Sequence, residues 1–333
     1  MRAMLLEKTG EVSANEPLDL RDVPSPEPKL GEVRLRVHCC GICHTDLHTV
    51  EGELKIPRLP IIPGHQVVGT VEAVGAGVRS VREGDRVGVP WLYSTDGSCD
   101  FCQSGRENLC DSARFTGLHA NGGYAEQIVV REEFGVPLPL GIDDEHLAPL
   151  LCAGIIGYRS YRVSGARQGD RIGLYGFGAS AHIVLQFARH VGHEVYVFTR
   201  AEGHRRLARS LGAAWAGDAK DAAPEKLDAA IIFAPAGGLV PLALRALRKG
   251  GTVTLAGIYM SDIPSFPYVD IYHERTLRSV ANATRQDARE CLDLAAEARV
   301  KTTVQIFDLA DANGALLALK ESRIDGAGVL KVL

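Results

Sequence analysis

The 333-residue sequence lacks the features that mark membrane, secreted and nucleic-acid-binding proteins. No uninterrupted apolar stretch approaches the roughly 20 residues that a helix needs to cross a bilayer. Lys and Arg (37) nearly balance Asp and Glu (41), and no polybasic run is present, so neither nucleic acid nor a membrane surface is indicated as a partner. Residues 1–6 lack the apolar core of a signal peptide, which predicts a cytoplasmic protein.

Without an export signal, the eight cysteines are expected to be thiols and metal ligands rather than disulfides. A lone Cys in a soluble protein is most often a small buried hydrophobe, and we expect this of Cys39, Cys40 and Cys291. The contents of hydrophobic (46%) and charged (23%) residues are those of an ordinary globular protein. The length exceeds that of one typical core and predicts two domains.

The first part of the chain has the pattern of short strands separated by turns. Residues 33–37 alternate apolar and charged side chains, residues 67–74 predict a longer strand, and residues 86–89 follow a Glu-Gly-Asp turn. Pro24, Pro26 and Pro28 indicate an extended connection. We therefore predict a mostly β domain over residues 1–152, completed by residues 286–333.

The middle of the chain changes to apolar strands that alternate with helices. Strands are predicted near residues 171–175, 195–198, 214–215, 229–233, 252–257 and 277–280, and helices at 205–211 and 239–247. This alternation is typical of a parallel sheet covered on both faces. With six strands, residues 153–285 are predicted to form a doubly wound Rossmann domain that binds a dinucleotide. Residues 287–298 are predicted as a helix that leads back to the first domain.

A glycine-rich turn follows the first of these strands. Gly176, Gly178 and Ala181 match the G-x-G-x-x-G/A fingerprint, in which the first glycine permits a tight turn and the second admits the pyrophosphate. The third position is small so that helix and strand pack closely. Together with Ala179 and Ser180, this loop is expected to hold a pyrophosphate at a helix N-terminus.

Residues 40–48, Cys-Gly-Ile-Cys-His-Thr-Asp-Leu-His, concentrate thiols, imidazoles and a carboxylate. Such groups are costly to bury unless they are paired or bound to a metal. Cys43, His65 and Cys152 come from three separate segments and would leave a fourth zinc position open, as in catalytic sites. The alternative for Cys40 and Cys43 is a C-x-x-C redox pair, although this pair does not open a helix in a short βαβ domain.

A second cluster of metal-ligand types lies at Asp96, Cys99, Cys102 and Cys110. Its regular spacing predicts a closed, four-coordinate structural zinc site. The alternative is a loop with three free thiols.

With these motifs, the chain resembles a zinc-dependent alcohol dehydrogenase of the medium-chain dehydrogenase/reductase superfamily over essentially all its residues. The resemblance implies a GroES-like, mostly β catalytic domain beside the Rossmann domain. It implies that Cys43, His65 and Cys152 bind the catalytic zinc, with Asp46 as the partner of a ligand. Zinc would stabilise the alkoxide or polarise the carbonyl, and NAD or NADP would carry the hydride. Two zinc ions per chain and a homodimer or homotetramer are expected.

The resemblance also implies a route for the substrate's proton. Thr45 would accept it, and it would leave through the cofactor ribose to His48 at the surface. The remaining implied positions are the pyrophosphate site (His44), the substrate pocket (Trp91 and Tyr259) and the surroundings of the nicotinamide (Ile258 and Tyr259).

Three positions depart from the family pattern. Gln66 stands where a Glu usually follows the ligand histidine, so a transient carboxylate–zinc bond is not expected here. Asp96 stands where the structural cluster usually begins with Cys, and its oxygen is a harder ligand than sulfur. Residues 326–328, Gly-Ala-Gly, occupy a region where many members have a pyrophosphate-binding Arg.

The end of the second Rossmann strand bears on the choice of cofactor. NAD-selective domains place an acid there, but this strand ends in Thr199-Arg200, and Glu202 lies beyond it. Arg200 can make a planar, bidentate contact to a 2′-phosphate, and Arg205 could add charge, which favours NADP. The alternative is that Arg200 is a solvated loop residue and NAD is used.

Two other functions are compatible with the same residues. The first is physiological reduction of an aldehyde or ketone, since direction follows from equilibrium and the cell's cofactor ratio. The second is a non-catalytic, cofactor-binding protein on the same fold, which would be expected to lose the zinc ligands and the Thr45/His48 pair.

Overall fold

Two units of different architecture share the chain in the computed structural model, which describes residues 1–13 and 16–333. Unit 1 comprises Met1–Cys152, Thr284–Ala296 and Lys301–Leu333. Unit 2 comprises Ala153–Ala283 and Glu297–Val300. Residues 297–300 therefore group with unit 2 and not with unit 1.

The secondary structure is numbered in chain order. The strands are β1 (Arg2–Leu6), β2 (Leu18–Asp22), β3 (Glu32–Ile42), β4 (Val67–Val74), β5 (Arg86–Val89), β6 (Leu92–Ser94), β7 (Arg114–Phe115), β8 (Gln127–Arg131), β9 (Val136–Pro137), β10 (Arg171–Tyr175), β11 (Glu194–Phe198), β12 (Trp215–Gly217), β13 (Leu227–Ile232), β14 (Leu247–Leu255), β15 (Thr276–Ser279), β16 (Val304–Asp308) and β17 (Ala327–Lys331). The α-helices are α1 (His44–Glu51), α2 (Asp100–Gln103), α3 (Asp144–Leu147), α4 (Ala153–Ser164), α5 (Ala179–Val191), α6 (Glu202–Ser210), α7 (Leu239–Ala246), α8 (Val269–Tyr272), α9 (Arg285–Glu297) and α10 (Ala312–Lys320).

Unit 1 is built on a seven-stranded sheet with β3 near its middle. The order is β16-β17-β3-β4-β5-β9, and β8 also pairs with β3; β16 and β17 run parallel, whereas the other pairs are antiparallel. Val33, Leu35 and Val37 alternate into the core as their period predicted, since side chains on a strand point to opposite faces in turn. The register shifts between Val37 and Cys39, after which β3 continues to Ile42. It therefore ends directly before Cys43.

Unit 2 is a six-stranded parallel sheet in the order β12-β11-β10-β13-β14-β15. Along this unit's own chain the order is third, second, first, fourth, fifth and sixth, which is the doubly wound order. Separate apolar clusters include Ile172 and Leu174 with α5, and Tyr175 and Ile232 with α7. Burial on both faces explains why these strands are apolar runs, and the predicted Rossmann fold class is confirmed.

The cysteines outside the two proposed metal clusters are core residues. Cys39, Cys40 and Cys291 are buried, as expected, and burial is the main reason that the pKa of each thiol is raised. They are therefore neutral apolar side chains. Among the helices in the described part of the chain, none is both long and apolar enough to span a bilayer.

Candidate active site

Cys43 lies at the junction of β3 and α1. Its backbone is extended (φ −144°) and it is the N-cap of the helix; its Sγ accepts the Thr45 N–H at 3.3 Å. Asp46, in the first turn, accepts the Cys43 N–H through Oδ2 at 2.9 Å. This reciprocal capping satisfies two N–H groups that the helix itself leaves free, and it fixes the thiol at the end of the strand.

His65 is held by the same carboxylate. Its Nδ1 donates to Asp46 Oδ1 at 2.9 Å, and both side chains are buried. Because an ionised carboxylate can only accept, this bond leaves His65 Nε2 as the free nitrogen, 3.4 Å from Cys43 Sγ. Asp46 therefore holds the Cys43 backbone and the His65 ring side by side, although these residues are 22 positions apart in the sequence.

A close packing of glycines places His65. Gly64 has φ +99°, and a Cβ there would lie 2.4 Å from the Tyr124 ring. The Gly123 N–H donates to the Gly64 carbonyl at 3.0 Å, and a Cβ on Gly122 would lie 2.0 Å from that oxygen. The loop before β4 is thereby pressed against residues 122–124, which sequence reasoning did not single out because no local pattern connects the two segments.

Cys152 completes the group from the end of a 3₁₀ turn, Ala148–Leu151. Its Sγ lies 3.9 Å from that of Cys43, and one ligand atom from each of Cys43, His65 and Cys152 lies within 4.8 Å of the others. The neighbouring Cys152 thiol and burial raise the pKa of Cys43 well above its usual range. Two half-buried thiols this close cannot both ionise without a cation, so the donor set fits a thiolate-binding metal ion such as zinc.

Further predicted residues surround this group in unit 1. Trp91 stacks on Phe115 (ring centroids 4.2 Å apart), and its ring centroid lies 6.1 Å from that of His65. Gln66 is buried, and its Nε2 has no hydrogen-bond partner among the described residues. Phe115 was not predicted, because it joins Trp91 only through the pairing of β6 with β7.

On α1, the positions named for the proton route differ in exposure. Thr45 is half-buried, while the His48 side chain is 26% exposed and its Nδ1 contacts Glu53 Oε2. His44 is at the surface, where desolvation and the nearby His48 lower its pKa. Thr45 and His48 are three positions apart, so they lie on one face of the helix.

The four residues of the second predicted metal cluster also lie close together in the structure. Atoms of Asp96, Cys99, Cys102 and Cys110 lie within 4.8 Å of one another. Asp96 Oδ1 accepts the N–H groups of Ser98 and Cys99 at 2.8 and 2.9 Å, and its Oδ2 lies 3.2 Å from Cys110 Sγ. The hydrogen bonds from Cys99 and Ser98 hold the pKa of Asp96 well below its usual range, whereas desolvation raises the pKa of Cys110 to about 11.

In unit 2, the glycine-rich turn has the geometry that the fingerprint requires. Gly176 has φ +86°, and a Cβ there would lie 2.9 Å from the Ala234 nitrogen. Gly178 is the N-cap of α5, and a Cβ there would meet open space, so the approach to the helix N-terminus is clear. Ala179 and Ser180 begin the helix, and Ala181 is fully buried, which suits its expected packing role. The exposed Ile258 and Tyr259 follow β14.

The residues predicted to select between NAD and NADP differ in their burial and in their contacts. Thr199 is buried directly after β11, and Arg200 is exposed, with no ion pair to the described residues. Arg205, expected to be available for a phosphate, instead donates through Nε to the Thr199 carbonyl at 2.8 Å. It also lies 3.7 Å from both Glu202 and Asp218. Of these two arginines, Arg200 is thus the one that has no ion pair to the described residues.

Comparisons with known proteins give the family. Residues 29–140 match the alcohol dehydrogenase GroES-like domain and residues 181–297 match the zinc-binding dehydrogenase family. The chain is 46% identical over 338 residues to a probable alcohol dehydrogenase, AdhA, from Mycobacterium tuberculosis, covering 100% of this chain and 97% of that protein. Similar solved structures include an NAD-dependent alcohol dehydrogenase (25% identity, TM-score 0.89, 100% of both chains) and a Helicobacter pylori CAD complexed with NADP(H) (26%, 0.86, 99% of both).

These matches support alcohol dehydrogenase activity and give no support to a non-catalytic protein on the same fold. They agree with the architecture of both units and with the presence of two clusters of residues that could bind zinc. The chain belongs to the zinc-dependent alcohol dehydrogenases of the medium-chain dehydrogenase/reductase superfamily.

Proposed function

We propose that Cys43, His65 and Cys152 hold a catalytic zinc, and that the enzyme transfers a hydride reversibly between a primary or secondary alcohol and NAD(P). The convergence of the three ligand atoms within 4.8 Å is the observation that carries this proposal. A zinc ion bound there would act as a Lewis acid towards the substrate oxygen. The two thiolates would balance its formal charge, and Asp46 would keep the His65 ring in the ligand orientation.

Thr45 and His48 would move the substrate's proton. Thr45, which is half-buried on the first turn of α1, would accept a proton from the substrate hydroxyl. His48, on the same face and partly exposed, would pass it to solvent. In the reverse direction the same side chains would supply a proton to a carbonyl, so aldehyde or ketone reduction uses the same residues.

Trp91 would form an apolar wall of the substrate pocket. Its stacking on Phe115 fixes the plane of the indole, and its ring lies close to that of His65. Tyr259, exposed after β14, is the other residue that we assign to substrate. An apolar wall beside a Lewis-acid site suits a small alcohol or carbonyl compound with a hydrocarbon group.

Asp96, Cys99, Cys102 and Cys110 would hold a second, structural zinc. Asp96 already uses Oδ1 for two backbone N–H groups, so it would bind through Oδ2 alone. All four protein positions are then filled, as in closed structural sites. Assembly into a homodimer or homotetramer stays a prediction.

The nicotinamide cofactor would bind through the loop formed by Gly176, Gly178, Ala179, Ser180 and Ala181, with His44 as a further contact to the pyrophosphate and Ile258 near the nicotinamide. It would take up or release the hydride. We favour NADP, because Arg200 is free for a 2′-phosphate and no carboxylate stands directly at the end of β11. Thr199 would contribute a hydroxyl, while Arg205 would act by holding the turn through the Thr199 carbonyl.

The proposal is tested by assaying a panel of alcohols, aldehydes and ketones with NAD(H) and NADP(H). We expect turnover in both directions, with the higher catalytic efficiency for NADP(H). Arg200→Ala should lower the NADP(H) efficiency by about tenfold or more, the value of a lost charge-assisted hydrogen bond, and leave NAD(H) unchanged. Arg278→Ala is the matched control, because Arg278 is exposed on β15 at the far edge of the sheet.

Two results would count against the proposal in different ways. Failure of every alcohol and carbonyl compound to react would contradict the reaction. A strong preference for NAD that Arg200→Ala leaves unmoved would contradict the cofactor assignment alone.

A further inference from the structure

The C-terminus of α1 turns the chain back over His48. Gly52 adopts a left-handed conformation (φ +83°), and its N–H donates to the carbonyls of His48 and Thr49. The next N–H, that of Glu53, also donates to the His48 carbonyl, at 2.9 Å. A left-handed cap of this kind ends a helix and reverses the chain, so the backbone of Glu53 is fixed beside His48.

The Glu53 side chain reaches the ring of the same residue. Its Oε2 lies within hydrogen-bonding distance of His48 Nδ1. A carboxylate has no proton to give at neutral pH, so Nδ1 is the donor. In neutral imidazole the other nitrogen is then an acceptor, which leaves His48 Nε2 ready to receive a proton.

The other ionisable groups around His48 are arranged differently. The His44 ring is 6.2 Å away between centroids, and Glu51, in the same helical turn, accepts the Val12 N–H and pairs with Lys320 at 2.7 Å. Lys320 is also paired with Glu11. Within the described part of the chain, Glu53 is therefore the carboxylate that contacts the His48 ring directly.

We propose that Glu53 is a positioning residue for proton transfer: it holds His48 in the Nδ1-protonated tautomer, so that Nε2 takes the proton that alcohol oxidation releases. This inference rests on the proposed role of His48. Glu53 itself gains and loses no proton in the cycle.

The first test is ¹⁵N NMR of the full-length enzyme labelled in histidine, with the His48→Ala spectrum identifying the His48 signals. We expect the neutral His48 ring of the wild type to carry its proton on Nδ1. Glu53→Ala should move that proton to Nε2 in a large fraction of molecules. Glu53→Gln, whose amide oxygen can still accept, should keep the wild-type tautomer. An unchanged tautomer in Glu53→Ala would overturn the inference.

The second test is the pH profile of alcohol oxidation. Loss of His48 should cost most at low pH, and Glu53→Ala should reproduce a smaller part of this loss, about tenfold, with rescue by Glu53→Gln. Glu53→Ala should add nothing in a His48→Ala background, because Glu53 acts through that ring. Glu11→Ala removes a carboxylate that contacts Lys320 but not His48, and it should match the wild type.

The outcomes separate this inference from the function on which it rests. If His48→Ala leaves the pH profile unmoved, the proposed proton route is wrong and the role of Glu53 is overturned with it. If His48→Ala slows oxidation as expected but Glu53→Ala does not, the inference about Glu53 alone is overturned.

Discussion

At the scale of single residues, one carboxylate organises the candidate zinc site. Asp46 accepts the Cys43 N–H through one oxygen and the His65 Nδ1–H through the other. Both carboxylate oxygens of Asp46 must be acceptors, because both partners are N–H donors. The side chain is buried, so neither bond is replaced easily by water. Asp46 thus links the cap of a helix to the orientation of a ligand.

Asp46→Asn should weaken zinc binding without a change in side-chain size. An amide has a single acceptor oxygen, so its NH₂ group would face either the Cys43 N–H or the His65 Nδ1–H. Loss of such a partner of a metal ligand typically lowers metal affinity by about 10–100-fold. Competition with a chromogenic chelator measures this, and Asp19→Asn, on the exposed edge of β2, is the control. Equal zinc affinity in Asp46→Asn and wild type would contradict the role given to Asp46.

At the scale of elements, local patterns predicted all six strands of the unit 2 sheet, but in unit 1 the only strands they predicted were β3, β4 and β5. The strand predicted over residues 67–74 has the observed bounds of β4, which begins with three buried residues and ends at an exposed one. β14 begins at Leu247, five residues before its prediction, since the Lys-Gly-Gly stretch at 249–251 has a turn-like composition. In the structure this stretch stays in the sheet beside a register shift in the pairing with β13. A tertiary pairing overrides the local preference there.

Residues of the candidate site could be predicted only where they belong to a short sequence motif. Short spacings singled out Cys43, His65 and the Asp96 cluster. The roles of Phe115, Tyr124 and Glu53 depend instead on how distant loops or a helix cap fold, and no spacing in the sequence encodes those contacts. Arg205 shows the same limit, because its hydrogen bond to the Thr199 carbonyl follows from the fold of the turn and not from a sequence motif.

The segment that contains Asp96, Cys99, Cys102 and Cys110 should depend on its metal. Its helix α2 has four residues and none of them is buried, so apolar packing contributes little. We expect two zinc ions per chain in protein purified without chelator. Cys99→Ala should retain one zinc and lower the melting temperature, because a structural zinc contributes directly to folding.

Cys291→Ala is the control for loss of a thiol, because it lies in the core of unit 1, outside both clusters. A single zinc in the wild type, together with an unchanged melting temperature in Cys99→Ala, would show that this segment holds no metal.

At the scale of the whole molecule, the chain divides its chemistry between two units. The proposed zinc ligands and the Thr45/His48 pair lie in unit 1, and the proposed pyrophosphate loop and Arg200 lie in unit 2. Unit 2 has apolar cores of its own, built around Leu174 and Ile232. Substitution of a proposed zinc ligand is therefore not expected to unfold the Rossmann sheet or to prevent binding of the nicotinamide cofactor.

The most direct test of the zinc site is Cys43→Ala, assayed for alcohol oxidation and for NADPH binding by fluorescence in the same preparation. We expect one zinc fewer than in the wild type and a fall in turnover of at least about a thousandfold, because a Lewis acid contributes several kcal/mol to the transition state. The dissociation constant for NADPH should stay within about twofold of the wild type. Substantial alcohol oxidation by zinc-depleted Cys43→Ala would contradict the mechanism proposed for this enzyme.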